Sequence, residues 1–179
     1  MLYFWKKEFN FFMKKIALLV CLLLFTACEP DDVCSENTQT TSRLVIEFFD
    51  IEDLDSPKTV AGLFALGIDA DGNEVNILGE NVTSRSKIEL PLNGAQNQTQ
   101  FKLYKNYDIV NDVVEGNSDI ITVAYTTSSV YVSRACGYKN VYSIQGFSIE
   151  TDADLWMING EIVIDEVTNE NETHVKIYH

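Results

Sequence analysis

The chain is predicted to fold as an all-β domain, an antiparallel β-sandwich or open barrel of about nine or ten short strands, preceded by a helical signal peptide. Three observations predict it. Short runs of alternating apolar and polar residues recur from Arg43 onward. Turn-forming residues punctuate them roughly every 8–15 positions, the rhythm of an all-β chain. No long helical period appears over the same residues.

The elements follow in order. In residues 43–49, Leu44, Ile46 and Phe48 alternate with Val45, Glu47 and Phe49 until Asp50 stops the run. An acidic turn region with Pro57 follows. Residues 59–68 read as an apolar strand in which Gly62 and Gly67 mark bulges or close backbone approach. Asp69-Ala-Asp-Gly-Asn73 turns the chain, and residues 74–78 return as the second arm of a hairpin. In residues 86–92, Ile88, Leu90 and Leu92 face one way and Lys87 and Glu89 the other. Residues 99–107 place Phe101, Leu103 and Tyr107 on alternate positions, and residues 108–118 read as a polar loop around Gly116-Asn117. Residues 119–126 are rich in β-branched side chains. Thr127-Ser128-Ser129 reads as a turn into residues 130–136, where Val130, Val132 and Cys136 share a face. Residues 138–149 are aromatic and β-like, with a break at Gly146. Residues 151–158 admit two readings, a helical turn capped by Thr151 or Asp152 or a loop with Trp156 as a plug. Residues 161–167 and 173–178 close the chain as strands, Val175 and Ile177 facing in and His174, Lys176 and Tyr178 facing out.

Ahead of the β region, Lys14 and Lys15 precede an unbroken apolar run, Ile16 to Phe25, and the small residues Thr26 and Ala27. That is the layout of a secretory signal peptide over residues 1–27. A membrane-spanning helix needs about 20 apolar residues, and this run supplies about half that. Residues 1–12 fit the signal poorly; Met13-Lys-Lys is a more natural start, and the first twelve residues read as a start over-call or an extension. Leu-Phe-Thr-Ala-Cys28 resembles a bacterial lipobox. The resemblance implies a diacylglycerol on the Cys28 thiol and cleavage just before Cys28. Two or more acyl chains hold a protein firmly to a bilayer where one holds it marginally.

Residues 28–42 read as a lipidated cysteine and an acidic tether, and residues 43–179 as one β domain. Glu29, Asp31 and Asp32 directly after the anchor resemble the acidic surface-export signals of Bacteroidota lipoproteins; a plain solvated linker accounts for them equally. The chain carries 13 basic and 27 acidic residues. Loss of the lysine-bearing leader takes the net charge to roughly −17. Such a chain repels nucleic-acid phosphates and anionic headgroups, so the membrane partner is reached through acyl chains on Cys28. Of the four cysteines, Cys21 leaves with the leader and Cys28 is lipidated. Cys34 and Cys136 reach an oxidising compartment, where one disulfide is the simplest account and two buried thiols the alternative. The bridge would keep the domain close to the membrane, since the six residue steps from Cys28 to Cys34 span at most roughly 20 Å.

Candidate chemistry is sparse. Asp69, Asp71, Asn73 and Glu74 could offer oxygens to Ca²⁺, but the glycine is misplaced for a calcium loop and Asp-Gly is ordinary hairpin chemistry, so no metal and no cofactor is expected. His174 and His179 have no partner at metal-ligand spacing. No nucleophile elbow, phosphate loop or dinucleotide fingerprint is present, and no catalytic residue is assigned. Trp156, Tyr131, Tyr138 and Tyr142 could line a ligand groove, or serve as core and cross-strand pairs. The sequons at Asn81, Asn97 and Asn171 carry little weight in a bacterial lipoprotein.

Ser133-Arg-Ala-Cys-Gly137, Leu155-Trp-Met157 and Asn171-Glu-Thr-His-Val-Lys-Ile-Tyr178, with Cys34 and the Arg43-Leu-Val-Ile-Glu-Phe48 strand, resemble features of a Bacteroidota lipoprotein family of unknown function. The resemblance implies a lipoprotein with a β domain and supplies no activity. The expectation is a membrane-anchored outer-membrane lipoprotein, on the periplasmic face or the cell surface. It would act as a non-enzymatic interaction or structural module toward an envelope protein or glycan. The alternative is a ligand- or glycan-binding lipoprotein with a surface aromatic groove.

Overall fold

In a computed structural model of the chain, residues 15, 33–35, 38, 40–79 and 82–179 are described. The expected signal peptide, apart from Lys15, and the expected lipidation site Cys28 lie outside the described residues, and the tether is described only in part. The chain divides into two units, a small one of residues 1–38 and 132–137 and a large one of residues 39–131 and 138–179. In the small unit Cys34 and Cys136 form the disulfide, with Cα atoms 4.9 Å apart. The Cys136 amide donates to Ser133 Oγ at 3.0 Å, which holds the turn that presents the sulfur.

The described residues contain eleven strands: β1 (Leu44–Phe49), β2 (Val60–Ile68), β3 (Glu74–Asn76), β4 (Thr83–Arg85), β5 (Lys87–Leu90), β6 (Gln98–Val110), β7 (Val113–Ser133), β8 (Gly137–Ile149), β9 (Asn159–Ile162), β10 (Glu166–Val167) and β11 (Val175–Tyr178). Apart from the ends of β7 and β8 that lie in the small unit, they build the large one. One sheet runs β5-β1-β11-β9; the other runs β10-β8-β7-β6-β2-β3, with β4 also paired to β2. The fold is all-β and two-sheeted, and it does not close into a barrel. Among the described residues no helix is long and apolar enough to cross a membrane. The inward positions read from the alternation are buried: Leu44, Ile46 and Phe48 of β1, Ile88 and Leu90 of β5, Phe101 and Leu103 of β6, and Ile121 and Val123 of β7 join one apolar cluster. Gly160 of β9 lies against Phe147 of β8, where a Cβ would stand 2.1 Å from the ring. A side chain there would force the ring aside, so the close approach selects glycine.

Several expectations are corrected. The sheet containing β1 is not wholly antiparallel: β1 and β11 run parallel, Ile46 opposite Val175 and Phe48 opposite Ile177. These strands come from opposite ends of the β domain, so no hairpin dictates their direction. Residues 127–129 do not turn, and Gly146 does not break its strand. Cys136 lies in the turn after β7 and shares no strand face with Val130 and Val132. His174 and Tyr178 face inward as well as Val175 and Ile177. Strand β11 is hydrogen-bonded between β1 and β9, and side chains on both of its faces are buried, so alternation does not separate inside from outside. The 151–158 segment is a loop with Trp156 as its plug.

Candidate interaction surface

The expected polar loop at 108–118 is a β-hairpin arm. Ile109 pairs with Val114 and Val110 with Val113, and the chain reverses at Asn111-Asp112. Both turn residues have positive φ, 52° and 62°. That is the two-residue turn whose twist matches paired strands, and Asn and Asp tolerate it best among residues with a side chain. One extra residue on β6, between Lys105 and Asp108, bulges the arm's base. Asn106 there has φ 57°, and Gly116 opposite has φ 121°. A Cβ at Gly116 would meet the Lys105 and Asn106 carbonyl oxygens at 2.9 Å, so only glycine fits the bulge as built.

The arm's side chains are unlike those of a solvated tip. Ile109 is 57 % exposed and Val113 61 %, with Val110 and Val114 also exposed. Asp108, Asp112 and Glu115 lie among them, all exposed. Beneath the arm is a groove of about 640 Å³ lined by Phe64, Asn76, Val82, Tyr107, Asp108 and Ile109. Phe64 and Tyr107 pack with ring centroids 4.3 Å apart, and Tyr104 meets Tyr107 edge-on at 5.2 Å. The groove is large enough for a bound side chain or small ligand; it is open to solvent, with an aromatic wall and a lining about half polar. The sequence signal for it was Ile109-Val110-Asn-Asp-Val113-Val114, β-branched pairs flanking a turn dipeptide, masked by the surrounding polar residues.

The aromatic residues singled out from sequence do not form one groove. Tyr142 is buried, its hydroxyl donates to the Leu92 carbonyl at 3.1 Å, and its ring meets Tyr125 edge-on at 5.2 Å. Trp156 is buried against Phe48 and His179, with centroids at 5.9 and 5.8 Å. Tyr131 and Tyr138 are exposed and pair edge-on at 5.5 Å. The Trp156 loop is held by a residue that sequence reading missed. Asp119 is 1 % exposed, and its Oδ2 accepts from the Trp156 and Met157 amides at 2.9 and 2.7 Å. Burial raises its pKa against the opposing pull of those two donors. Backbone amides carry no residue signature, so nothing in the sequence marked this contact.

Asp69 and Asn73 form a closed turn. Asp69 Oδ1 accepts from the Asp71 and Asn73 amides, and the Asn73 amide nitrogen Nδ2 reaches Asp69 Oδ2 at 3.1 Å. Those donors lower the Asp69 pKa, led by the Asn73 amide. Glu74 pairs instead with Lys102 at 2.7 Å. The Asp69 oxygens thus close a hairpin, as an aspartate does in an Asx turn.

Both histidines are buried and their pKa values are lowered, in each case chiefly by burial. His174 Nδ1 accepts from the Val45 amide at 3.0 Å, so its proton resides on Nε2, while Glu172 and Glu170 partly oppose the shift and Lys87 adds to it. Because the folded pKa lies below the unfolded value near 6.5, each histidine contributes stability that is present above about pH 6.5 and lost as pH falls through the folded value. Asp119 acts with the opposite sign: its folded pKa is raised, so falling pH favours the folded form at that site. The histidine contribution to the unfolding free energy from urea titration should therefore drop from pH 7 toward pH 5.5, by at most about 1.4 kcal/mol per pH unit for each histidine, with Asp119 acting against it. H174N, whose amide oxygen can still accept from Val45, should flatten the profile; an unchanged slope in H174N would show that His174 does not drive it.

Nothing matches the chain among curated proteins or among solved structures. A family model matches residues 62–179, which include the arm, the groove and the Trp156 loop and leave out β1 and Cys34; on that match the chain belongs to DUF6452, a family of unknown function.

Proposed function

We propose that the chain is a lipid-anchored cell-envelope protein of the Bacteroidota outer membrane, held by acyl chains on Cys28, and that it acts as a non-enzymatic interaction module through the β6–β7 arm. The single observation that carries the interaction reading is the arm itself. Four exposed β-branched apolar side chains on one hairpin, Ile109 with Val114 on one face and Val110 with Val113 on the other, contribute little to the core, and exposed apolar side chains gathered in this way mark contact surfaces. Asp108, Asp112 and Glu115 set the chemistry of the partner: an envelope protein with an apolar centre and a Lys- or Arg-rich rim. A second copy of this chain, with a net charge of −14, lacks that rim. Support for the anchor comes from the lipobox-like ending at Cys28 and from the disulfide that joins Cys34, just after it, to the domain.

The test places a photo-crosslinking amino acid at Val113 in intact cells. The expected product is one discrete protein adduct, abolished by Ile109→Asp with Val114→Asp in a chain that still forms its disulfide. No adduct, or one indifferent to those changes, overturns the arm as the contact surface. A glycan adduct would favour the second reading, ligand binding in the groove, for which the Phe64–Tyr107 wall beside Asn76 and Asp108 is the supporting observation.

A further inference from the structure

Charge is unevenly spread along the chain. Residues 120–149 contain no Asp or Glu, although the whole chain has 27 acidic residues and a net charge of −14. The charged residues of that stretch are Arg134 and Lys139. It comprises most of β7, the turn that follows, and β8. In the large unit its end carries Val130, Tyr131 and Tyr138, the last two 58 % and 70 % exposed and in contact with each other. These rings are not core, and the stretch that carries them holds no acid; the acids nearest along the covalent path are those of the tether, Glu29, Asp31, Asp32 and Glu36.

Covalent connectivity says what lies within their reach. From Cys28 the chain takes six steps to Cys34, crosses 4.9 Å between Cα atoms to Cys136, and takes two more steps to Tyr138; fully stretched, that path is roughly 33 Å. The opposite end of β7, at Val113, lies 18 residues of strand before Tyr131, about 60 Å of contour. Of the two ends of this 21-residue strand, the acid-free, tyrosine-bearing one is therefore the tethered one. Tyrosine is the side chain that best suits the boundary between headgroups and water, with an apolar ring and a polar tip, and Lys and Arg suit anionic headgroups.

We infer that the Tyr131–Tyr138 end of the β7–β8 hairpin lies in the lipid headgroup layer as a second membrane contact beside acylated Cys28. The inference rests on the Cys28 anchor and adds an orientation to it. The strand rises from the membrane at its tyrosine end and carries the apolar arm at its distal end, toward a partner. The disulfide raises the frequency of the contact, because it shortens the path from anchor to hairpin from more than 100 residues to eight steps.

The experiment uses the full chain in native membranes, with the photo-crosslinker at Tyr138 in one variant and at Val113 in another, read by mass spectrometry of the crosslinked peptides. Intact mass reports acylation of Cys28 separately, and non-reducing mass reports the disulfide and so the folding of each variant. The expected result is a phospholipid or lipid A adduct at position 138, in at least tenfold excess over position 113. An acylated, disulfide-bonded chain with no lipid adduct at 138, or with a protein or glycan adduct there, overturns the inference and leaves the anchor standing. A chain without acylation overturns both. A crosslinker at Tyr131 gives the same decision if the Tyr138 variant does not form its disulfide.

Discussion

Replacing both Cys34 and Cys136 with serine should lower the unfolding free energy by about 2–5 kcal/mol, near the top of that range if chain entropy dominates. The bridge spans a sequence separation of 102 residues, and in the chain-entropy account a loop of that length restricts the unfolded ensemble by about 4.7 kcal/mol. Residual structure in the unfolded chain and solvation changes reduce the measured value. The effect acts on the unfolded state, so the folded β-sheets should survive with unchanged circular dichroism at low temperature. Urea titration of the chain and of its double serine variant measures it. Coincident midpoints would mean that the bridge closes no loop that the unfolded chain explores. The same variant bears on the proposed anchor and membrane contact: under that proposal, loss of the bridge releases the tyrosine end from the short tether, and lipid adducts at position 138 should fall with no change in Cys28 acylation.

Trp156→Ala should cost about 3–5 kcal/mol, the range for emptying a buried aromatic site. The ring is 6 % exposed and packs on Phe48 and His179, and its Nε1 donates to the Leu103 carbonyl at 3.4 Å. Asp119→Leu tests the other half of the same anchorage. It strips the acceptor from two buried amides, each worth about 1–3 kcal/mol when left unsatisfied, and removes a carboxylate that is itself costly to bury. The second effect offsets part of the first, so the tryptophan change is expected to be the larger. Thermal midpoints of the two variants rank them. A ligand-lining tryptophan would show the reverse pattern, with stability kept and binding lost. A loss below about 1 kcal/mol in W156A would show that the 151–158 loop is a detachable strap rather than part of the core.

Much of the fold was legible because strand periodicity is a one-dimensional signal. Ile88-Glu89-Leu90 and Phe101-Lys102-Leu103 announce both their conformation and their buried face. The disulfide was legible for a different reason, since the expected leader and the expected lipidation site account for Cys21 and Cys28 and leave Cys34 and Cys136 to pair. Errors fell where that signal is ambiguous. From sequence the arm reads as a loop because Asn, Asp, Glu and Gly crowd around its four apolar residues, and a turn dipeptide inside a polar stretch does not declare which residues pair across it. The candidate aromatics do not share one groove. Trp156 and Tyr142 went to the core, Tyr131 and Tyr138 to the surface, and the groove recruited Phe64 and Tyr107 instead.

By itself the amino-acid sequence determined the β class, the inward residues of the half-buried strands and the pair of cysteines that close the long loop. These are local properties, or depend on counting. Only the tertiary structure decided that β1 and β11 lie parallel, that His174 and Tyr178 are buried, and that Asp119 holds the amides of Trp156 and Met157. Each of those joins groups far apart in the chain through backbone atoms that every residue shares. Their pairing is selected by packing of the whole domain and leaves no mark in the residues taken singly.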